Sequence, residues 1–200
     1  MKCALDANYV RLAFAPHSTL LFTFVDGEHE MRELAGVVGG SSTGVDAYIE
    51  RPFAFPVASR FSTGAYGVLY AANSIHTAVR ETAYHLAQFF ASGNAPESER
   101  RRTRLRLRMR GTVEELRRAN NPRVDPAIYD PNDYASAQRL GAQLRPKRLG
   151  VGFDSVRNLH GGTCVGAFTP SLVARAAIVG EMSLVWNGRR FTEAHDITPI

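Results

Sequence analysis

Cysteine is scarce in this sequence. The chain of 200 residues contains only two, Cys3 and Cys164, which lie far apart. A small secreted protein built on disulfides needs more cysteines at closer spacing, so that class of protein is excluded. The cysteines and the six histidines are also scattered rather than grouped at zinc-ligand spacing. We therefore expect no metal site, and we expect Cys164 to be a small buried apolar residue.

Long apolar runs are also missing. The first six residues lack the apolar run of a signal peptide, and the longest apolar stretch near them, Leu20–Val25, is far too short to span a bilayer. No internal repeat or low-complexity linker divides the chain. Because single domains usually contain about 100–200 residues, we expect one cytoplasmic domain over residues 1–200 that does not enter a membrane.

The composition supplies a core and a basic surface. Hydrophobic residues make up 44% of the chain, and 24 basic against 19 acidic residues give a formal net charge of +5. A basic surface attracts anions in general. Nucleic acid, a phosphorylated cofactor and an acidic partner protein are all compatible with this charge.

The hydrophobic periodicity predicts more strands than helices. Apolar residues at helical spacing predict a helix over Ile75–Phe90, with Asn73-Ser74 as its cap, and a second helix over residues 132–145. The predicted strands are Tyr9–Phe14, Tyr66–Ala72, Arg104–Arg110, Gly150–Asp154, Thr163–Phe168, Leu172–Val179 and Met182–Trp186. Strands that do not alternate regularly with helices favour an α+β fold with a mixed sheet. The Gly39–Gly44 loop lacks the Lys-Ser/Thr pair of a phosphate loop.

Four polar residues each have an ordinary structural explanation when taken alone. Glu81 fits a solvated helix glutamate paired with His85 one turn later. Tyr70 ends a short apolar strand and fits a core aromatic. Arg60 fits a surface arginine, although its planar permanent charge also suits a phosphate. Ser155 fits a turn serine, and no Gly-x-Ser-x-Gly motif surrounds it.

The order of several short motifs changes this interpretation. The motifs are Arg60-Phe61, Leu69-Tyr70-Ala71-Ala72, Thr77-Ala78-Val79-Arg80-Glu81, Tyr134-Ala135-Ser136-Ala137-Gln138-Arg139-Leu140-Gly141, Asp154-Ser155-Val156-Arg157, Gly161-Gly162-Thr163-Cys164-Val165 and Phe168-Thr169-Pro170. Together they resemble the RES domain of the toxins in RES–Xre toxin–antitoxin systems. The resemblance runs from about residue 8 to about residue 185. Where family members often carry paired glycines before the first arginine, this chain has the bulkier Pro56-Val57-Ala58-Ser59.

The resemblance implies an ADP-ribosyltransferase-like mixed sheet with flanking helices, and an enzyme that cleaves the nicotinamide–ribose bond of NAD. Glu81 would stabilise the positive charge on the ribose, and Arg60 would hold a phosphate of NAD. Tyr70 would pack against the nicotinamide or its ribose, and Ser155 would hydrogen-bond the same end. Arg11 would match an early arginine that binds NAD in some members. The implied partner is an Xre-type helix-turn-helix antitoxin that blocks growth arrest by NAD depletion, and no metal is implied.

Several alternatives stay open at this point. The ADP-ribose could pass to inorganic phosphate, to water or to a protein, and the oligomeric state, a homodimer included, is not set by the sequence. Seven arginines between Arg100 and Arg110 also allow a nucleic-acid-binding module. We favour a solvated strand face for the alternating Arg104, Arg106, Arg108 and Arg110, because no aromatic residues interleave with them as in single-strand binders. A pure interaction protein with an inactive RES-like fold would lack some of the four signature residues.

Overall fold

The computed structural model describes residues 1–13, 44–158 and 160–197. The strands in these ranges are β1 (Lys2–Ala13), β2 (Ala58–Ser59), β3 (Ser62–Thr63), β4 (Leu69–Ala72), β5 (Ser98–Glu115), β6 (Gly150–Asp154), β7 (Thr163–Ala167), β8 (Val173–Trp186) and β9 (Phe191–Ile197). The α-helices are α1 (Val45–Ala54), α2 (Ile75–Ser92) and α3 (Ala135–Leu144), and two short 3₁₀ helices cover Pro126–Tyr129 and Pro170–Leu172. Strands outnumber helices without alternating with them, which confirms the predicted α+β class. The stretch Leu20–Val25 and the Gly39–Gly44 loop before Gly44 lie outside the described residues.

Several elements differ from the sequence-based prediction. The two strands predicted over 172–186 form one strand, β8, because Gly180 adopts a φ of +142° at a bulge where the pairing with β5 shifts register. Gly180, which interrupts the alternation of apolar and polar residues, therefore marks a bulge within the strand and not the end of the strand. The first strand begins seven residues earlier than Tyr9, at Lys2. Helix α1, the short hairpin β2–β3 and strand β9 were not predicted.

Seven strands form one mixed sheet in the order β1-β4-β7-β6-β5-β8-β9. Strands β5 and β6 pair in parallel, and the other neighbours are antiparallel. Strand β1 also pairs with β5 over its whole length, from Lys2 opposite Glu114 to Ala13 opposite Thr103. The pairings therefore connect β1, β4, β7, β6 and β5 in a closed ring.

The described residues form three apolar cores, and the two largest lie on opposite faces of these strands. The first contains Leu105, Leu107 and Met109 of β5, and α1 packs against it with Tyr48 and Ile49. The second core joins side chains of α2 and α3 to β4, β6 and β7, and it includes Ala78, Ala137, Val151, Phe153 and Cys164. Cys164 is only 4% exposed and is not in a disulfide, as expected for a small buried residue. The site described below lies on the face of the second core.

The alternation of β5 is confirmed. Leu105, Leu107 and Met109 are fully buried, whereas Arg106, Arg108 and Arg110 are exposed. Arg108 makes a two-pronged salt bridge to Asp6 of β1, with N–O distances of 2.8 and 3.1 Å. Between Leu105 and Arg110 the strand therefore has one core face and one solvated basic face, whereas Arg104 is half-buried and Arg102 is buried. Within the described ranges, no helix combines the length and the apolar character needed to cross a membrane.

Candidate active site

Glu81 and Ser155 meet although 74 positions separate them. Ser74 caps α2 by accepting a hydrogen bond from the backbone of Thr77, which starts the helix that carries Glu81. Ser155 directly follows β6, and its hydroxyl donates to Glu81 Oε1 at 2.6 Å. The same Ser155 oxygen accepts the backbone N–H groups of Arg157 at 3.2 Å and Asn158 at 2.9 Å. Since a serine hydroxyl carries one proton, these two donors direct that proton to Glu81.

The carboxylate of Glu81 is fixed at one oxygen and open at the other. Ser155 is 5% exposed, whereas the side chain of Glu81 is 24% exposed. Glu81 Oε2 lies 3.8 Å from Nε2 of His85, the neighbour expected from the helical spacing. Desolvation lowers the pKa of His85, and the charges of Arg157 and Arg60 lower it further, against the opposing effect of Glu81. His85 is therefore neutral at pH 7, so the contact with Glu81 is not a full ion pair.

A network of polar side chains, which includes the buried Thr77 and Asn158, supports this pair. Asn158, which holds Ser155 through its backbone, donates from Nδ2 to Thr77 Oγ1 at 2.9 Å. Thr77 donates in turn to Asn73 Oδ1, which also accepts the backbone N–H of Thr163 at 3.1 Å. The network thereby ties the first turn of α2 to the segment between β6 and β7. Within it there is no room for a side chain at position 162, where glycine stands.

Arg60 is buried rather than on the surface. It lies between β2 and β3, is 8% exposed, and donates from Nη1 to the carbonyl oxygens of Ile128 at 2.9 Å and Asp130 at 3.0 Å. Its Cζ atom stacks 4.5 Å from the ring centroid of Tyr134. Within the described residues Nε and Nη2 make no hydrogen bond. The guanidinium is thus held firmly on one side while part of its donor set is unused.

Tyr70 contacts the residues on both sides of this arginine. Its hydroxyl lies 3.0 Å from Ser59 Oγ and accepts the backbone N–H of Phe61 at 3.1 Å. Burial raises the pKa of Tyr70 to about 12, so the phenol is neutral at physiological pH. From the other side, Gln138 of α3 donates to the Ser59 carbonyl at 3.0 Å, and Gly141 lets α3 approach the Phe61 carbonyl. The hairpin is therefore clamped between β4 and α3.

Arg60, Tyr70, Glu81 and Ser155 all lie on the second-core face. Ser155 bonds Glu81, and Arg157, two residues after Ser155, bonds the hydroxyl of Tyr134, whose ring stacks on Arg60. The structure thus brings together four residues that the sequence placed in a common motif order. Arg60 and Glu81 are the two charged groups, and Tyr70 and Ser155 orient them.

Arg11 contacts one of these four residues, Tyr70, and it does so from the opposite face of the strand layer. Its neighbours Tyr9 and Ala13 belong to the first core, so its side chain starts from the opposite face of the strand layer. Nη1 of Arg11 donates to the backbone carbonyl of Tyr70 at 2.7 Å, and burial, with the nearby charge of Arg51, lowers its pKa to about 10. A role for Arg11 in NAD binding stays a prediction that this placement does not support.

Three residues of the site were given no role from the sequence. Tyr134 stacks on Arg60, Asn158 holds Ser155, and Arg157 stacks on Tyr84 with its Cζ 3.3 Å from the ring centroid. Tyr134 opens one of the family-like motifs, and the other two stand at or next to the end of another. Their inclusion in those motifs was the available signal, but only the fold reveals what each one contacts.

One surface depression in the described chain lies away from this site. It has a volume of about 580 Å³ and is lined by Thr112, Arg145, Pro146, Lys147, Arg148, Leu149, Phe168 and Thr169. These residues surround the start of β6, whereas Ser155 follows its end, and none of the five predicted site residues lines the depression. Among the described residues, no group of three or more His, Cys, Asp or Glu side chains is placed to hold a metal ion.

Comparison with known proteins gives one family match. The model of the RES domain family matches residues 41–187, a range that includes Arg60, Tyr70, Glu81 and Ser155. No curated protein matches the sequence. A solved structure that resembles the chain is the M. tuberculosis MbcT–MbcA toxin–antitoxin complex, with 13% sequence identity and a TM-score of 0.48. That alignment covers 98% of this chain and 87% of the other chain, and a likeness at this level carries no argument about function.

Proposed function

Because the chain belongs to the RES domain family, we propose that it is a toxin of a toxin–antitoxin pair that breaks the nicotinamide–ribose bond of NAD. The observation that carries the proposal is the hydrogen bond of 2.6 Å from Ser155 Oγ to Glu81 Oε1, which fixes the carboxylate. This carboxylate lies on the same face of the sheet as the buried Arg60. A fixed carboxylate and a fixed guanidinium suit a substrate that has a sugar cation at one end and phosphates in the middle.

Cleavage of the nicotinamide–ribose bond needs no acid catalyst, but it is helped by a carboxylate near the ribose. Nicotinamide is a cationic leaving group in NAD, so it departs as a neutral molecule without a proton. As it leaves, positive charge develops on the ribose. One oxygen of Glu81 is occupied by Ser155, and the other is available to this charge. A preorganised group of this kind contributes about 3–4 kcal/mol to stabilisation of a transition state.

Ser155 acts here as a positioning residue and not as a nucleophile. Its proton goes to Glu81, and its oxygen already accepts two backbone N–H groups. A nucleophilic serine needs a free lone pair that faces the substrate, and both lone pairs of Ser155 are engaged by these N–H groups. Ser155 therefore sets the orientation of the carboxylate, which keeps a serine-hydrolase mechanism out of the proposal.

Arg60 supplies the phosphate contact. Two carbonyl acceptors and the Tyr134 ring fix its guanidinium, and Tyr70 contacts the residues on both sides of it. A guanidinium that is already immobilised loses little conformational entropy when it binds a phosphate. The bond is proposed to break by phosphorolysis or hydrolysis, with ADP-ribose passing to phosphate or water, and transfer to a protein is the alternative.

Product analysis with purified protein tests the proposal. Wild type should release free nicotinamide from NAD, with and without inorganic phosphate, and the sugar product identifies the acceptor. Glu81→Gln should lose about 100-fold in rate or more, whereas Glu50→Gln, at an exposed glutamate of α1, should match wild type. Equal rates for wild type and Glu81→Gln would refute the assignment. Label from NAD on a protein band would favour protein ADP-ribosylation.

Growth experiments test the toxin role. Synthesis of the chain alone in the cytoplasm should deplete NAD and arrest growth, and Glu81→Gln should relieve the arrest. Co-expression of an Xre-type helix-turn-helix antitoxin, the partner that the family implies, should restore growth of cells that make wild type. Normal growth of cells that contain active wild-type protein and no antitoxin would contradict this role.

A further inference from the structure

A second guanidinium lies beside the proposed site and has no part in the function proposed above. Arg157 follows Ser155 by two positions and stacks on Tyr84, which lies three residues after Glu81 on α2. Its Nη2 atom donates to the hydroxyl of Tyr134 at 3.3 Å and to the carbonyl oxygen of Pro131. The side chain therefore spans from the Glu81 helix to the segment that holds Arg60.

Tyr134 links the two arginines. Its ring lies 4.5 Å from Cζ of Arg60, and its hydroxyl accepts from Arg157. The segment that presents Tyr134 is itself ordered, because the side chain of Asp130 accepts the backbone N–H groups of Asn132 at 2.8 Å and Asp133 at 2.7 Å. The spacing of the two guanidiniums is thus fixed by one aromatic ring on a rigid turn.

Neither arginine makes a salt bridge to a carboxylate within the described residues, although the pKa of Asp130, which backbone hydrogen bonds from Asp133 and Asn132 lower, is lowered further by the charge of Arg60. The hydrogen bonds of both guanidiniums go to neutral oxygens, those of Ile128, Asp130, Pro131 and Tyr134. Arg60 is 8% exposed, and Arg157 is half-buried. Removing a charge from water without an opposite charge costs free energy, which a bound anion offsets. The described charge distribution favours an anion between them.

The charges also suit a dinucleotide. Arg157 stacks on Tyr84, three residues after Glu81 on α2, and Tyr134 joins Arg157 to Arg60, so the carboxylate and the two guanidiniums belong to one connected group of side chains. NAD carries a cationic ring and its ribose at one end and two adjacent phosphates next to them. Arginine forks bind phosphate oxygens in pairs, and Nε and Nη1 of Arg157 have no partner among the described residues.

We propose that Arg157 and Arg60, spaced by Tyr134, form a diphosphate-binding subsite that makes this protein select dinucleotides over nicotinamide mononucleotide. The inference rests on the proposed function for its kinetic consequence. The diphosphate contact itself is independent of turnover, because the same two guanidiniums bind ADP-ribose, which has the diphosphate and no nicotinamide.

The kinetic test compares NAD with nicotinamide mononucleotide, which has one phosphate. In Arg157→Ala we expect KM for NAD to rise about 10- to 100-fold, with kcat changed by less than about threefold. The mononucleotide should lose far less, so the preference for NAD should fall at least about 10-fold. Arg157→Lys should recover part of the loss, since a point charge replaces the fork. Arg145→Ala, at an arginine stacked 4.8 Å from the Tyr66 ring, is the matched control.

Binding separates the subsite from the reaction. Wild type should bind ADP-ribose more tightly than AMP in calorimetry, and Arg157→Ala should remove most of that difference while its thermal unfolding matches that of Arg145→Ala. An unchanged preference in folded Arg157→Ala, or an equal fall of kcat for both substrates, overturns the subsite. Should Arg157→Ala fail to fold, the same comparison in Arg157→Lys decides. If wild type releases no nicotinamide, the proposed function fails, and the ADP-ribose arm still decides the subsite.

Discussion

Gly162→Ala probes how tightly the network of polar side chains that supports Glu81 and Ser155 is built. A methyl group at this position would lie 2.7 Å from Thr77 Oγ1, 2.8 Å from Asn158 Nδ2 and 2.9 Å from Asn158 Cβ. Optimal contacts between nonbonded heavy atoms lie near about 3.5–4.0 Å. Both side chains must therefore shift by several tenths of an ångström or more to accept the methyl group.

The expected losses of stability and activity in Gly162→Ala depend on the contacts that Thr77 and Asn158 make. Overpacking of this kind costs about 1–3 kcal/mol in the free energy of unfolding. Movement of Asn158 also displaces the N–H that donates to Ser155 Oγ at 2.9 Å, and with it the proton aimed at Glu81. Because a misplacement of about 1 Å costs about 100-fold in rate, we expect kcat/KM for NAD to fall about 10- to 100-fold.

Urea unfolding and nicotinamide release measure the two effects on the same protein. The matched control is Gly152→Ala on β6, where the methyl group would lie no closer than 3.7 Å to the guanidinium of Arg117, an ordinary contact. Gly152→Ala should behave like wild type in both assays. If Gly162→Ala keeps the wild-type unfolding free energy and rate, crowding there does not reach Ser155 and the reasoning is wrong.

Three further predictions concern stability. Burial would raise the pKa of Glu115, which is 2% exposed, but hydrogen bonds from Arg117 outweigh this effect and hold the pKa at about 2. A carboxylate whose pKa is lowered in the folded state stabilises the protein above its ordinary pKa of 4.5. On the order of 3 kcal/mol of the unfolding free energy should therefore be lost as the pH falls from 4.5 to 2. Urea unfolding should show this loss in wild type and not in Glu115→Gln. Tyr70→Phe leaves the backbone N–H of buried Phe61 without its acceptor and should lower stability by about 1–3 kcal/mol in thermal unfolding. Leu107→Ala, at a fully buried position of β5, should cost about 2–5 kcal/mol in urea unfolding, and a smaller loss than about 1 kcal/mol would contradict its place in the first core.

Features that depend on near neighbours in sequence were predicted well. Helix α2 begins at Ile75 after its Ser74 cap, as the spacing and the capping serine indicated. The alternation of β5 placed Leu107 inside and Arg108 outside, because side chains of a strand alternate between its two faces. Where the local pattern was interrupted, as at Gly180, the prediction ended a strand that in fact continues through a bulge.

The order of the sequence motifs predicted which residues form the candidate site, but it did not predict the contacts between them. Glu81 was expected to pair with His85, its helical neighbour, but its shortest contact is the hydroxyl of Ser155. The packing of Tyr70 against the nicotinamide or its ribose stays a prediction, and nothing in the sequence indicated that its hydroxyl accepts the backbone N–H of Phe61. Partners within a few residues follow from helical geometry, whereas partners across the sheet depend on how strands register.

The alternation of β5 and the helix that carries Glu81 can be read from the amino-acid sequence, because backbone periodicity and capping involve neighbours a few positions away. The common order of the four polar residues came instead from a resemblance to the RES domain. The burial of Arg60 on the carbonyls of residues 128 and 130, and the position of Arg157 on the other side of Tyr134, became visible only in the folded chain. The reason is physical: burial and charge pairing depend on which distant segments close over a side chain, and no local pattern encodes that closure.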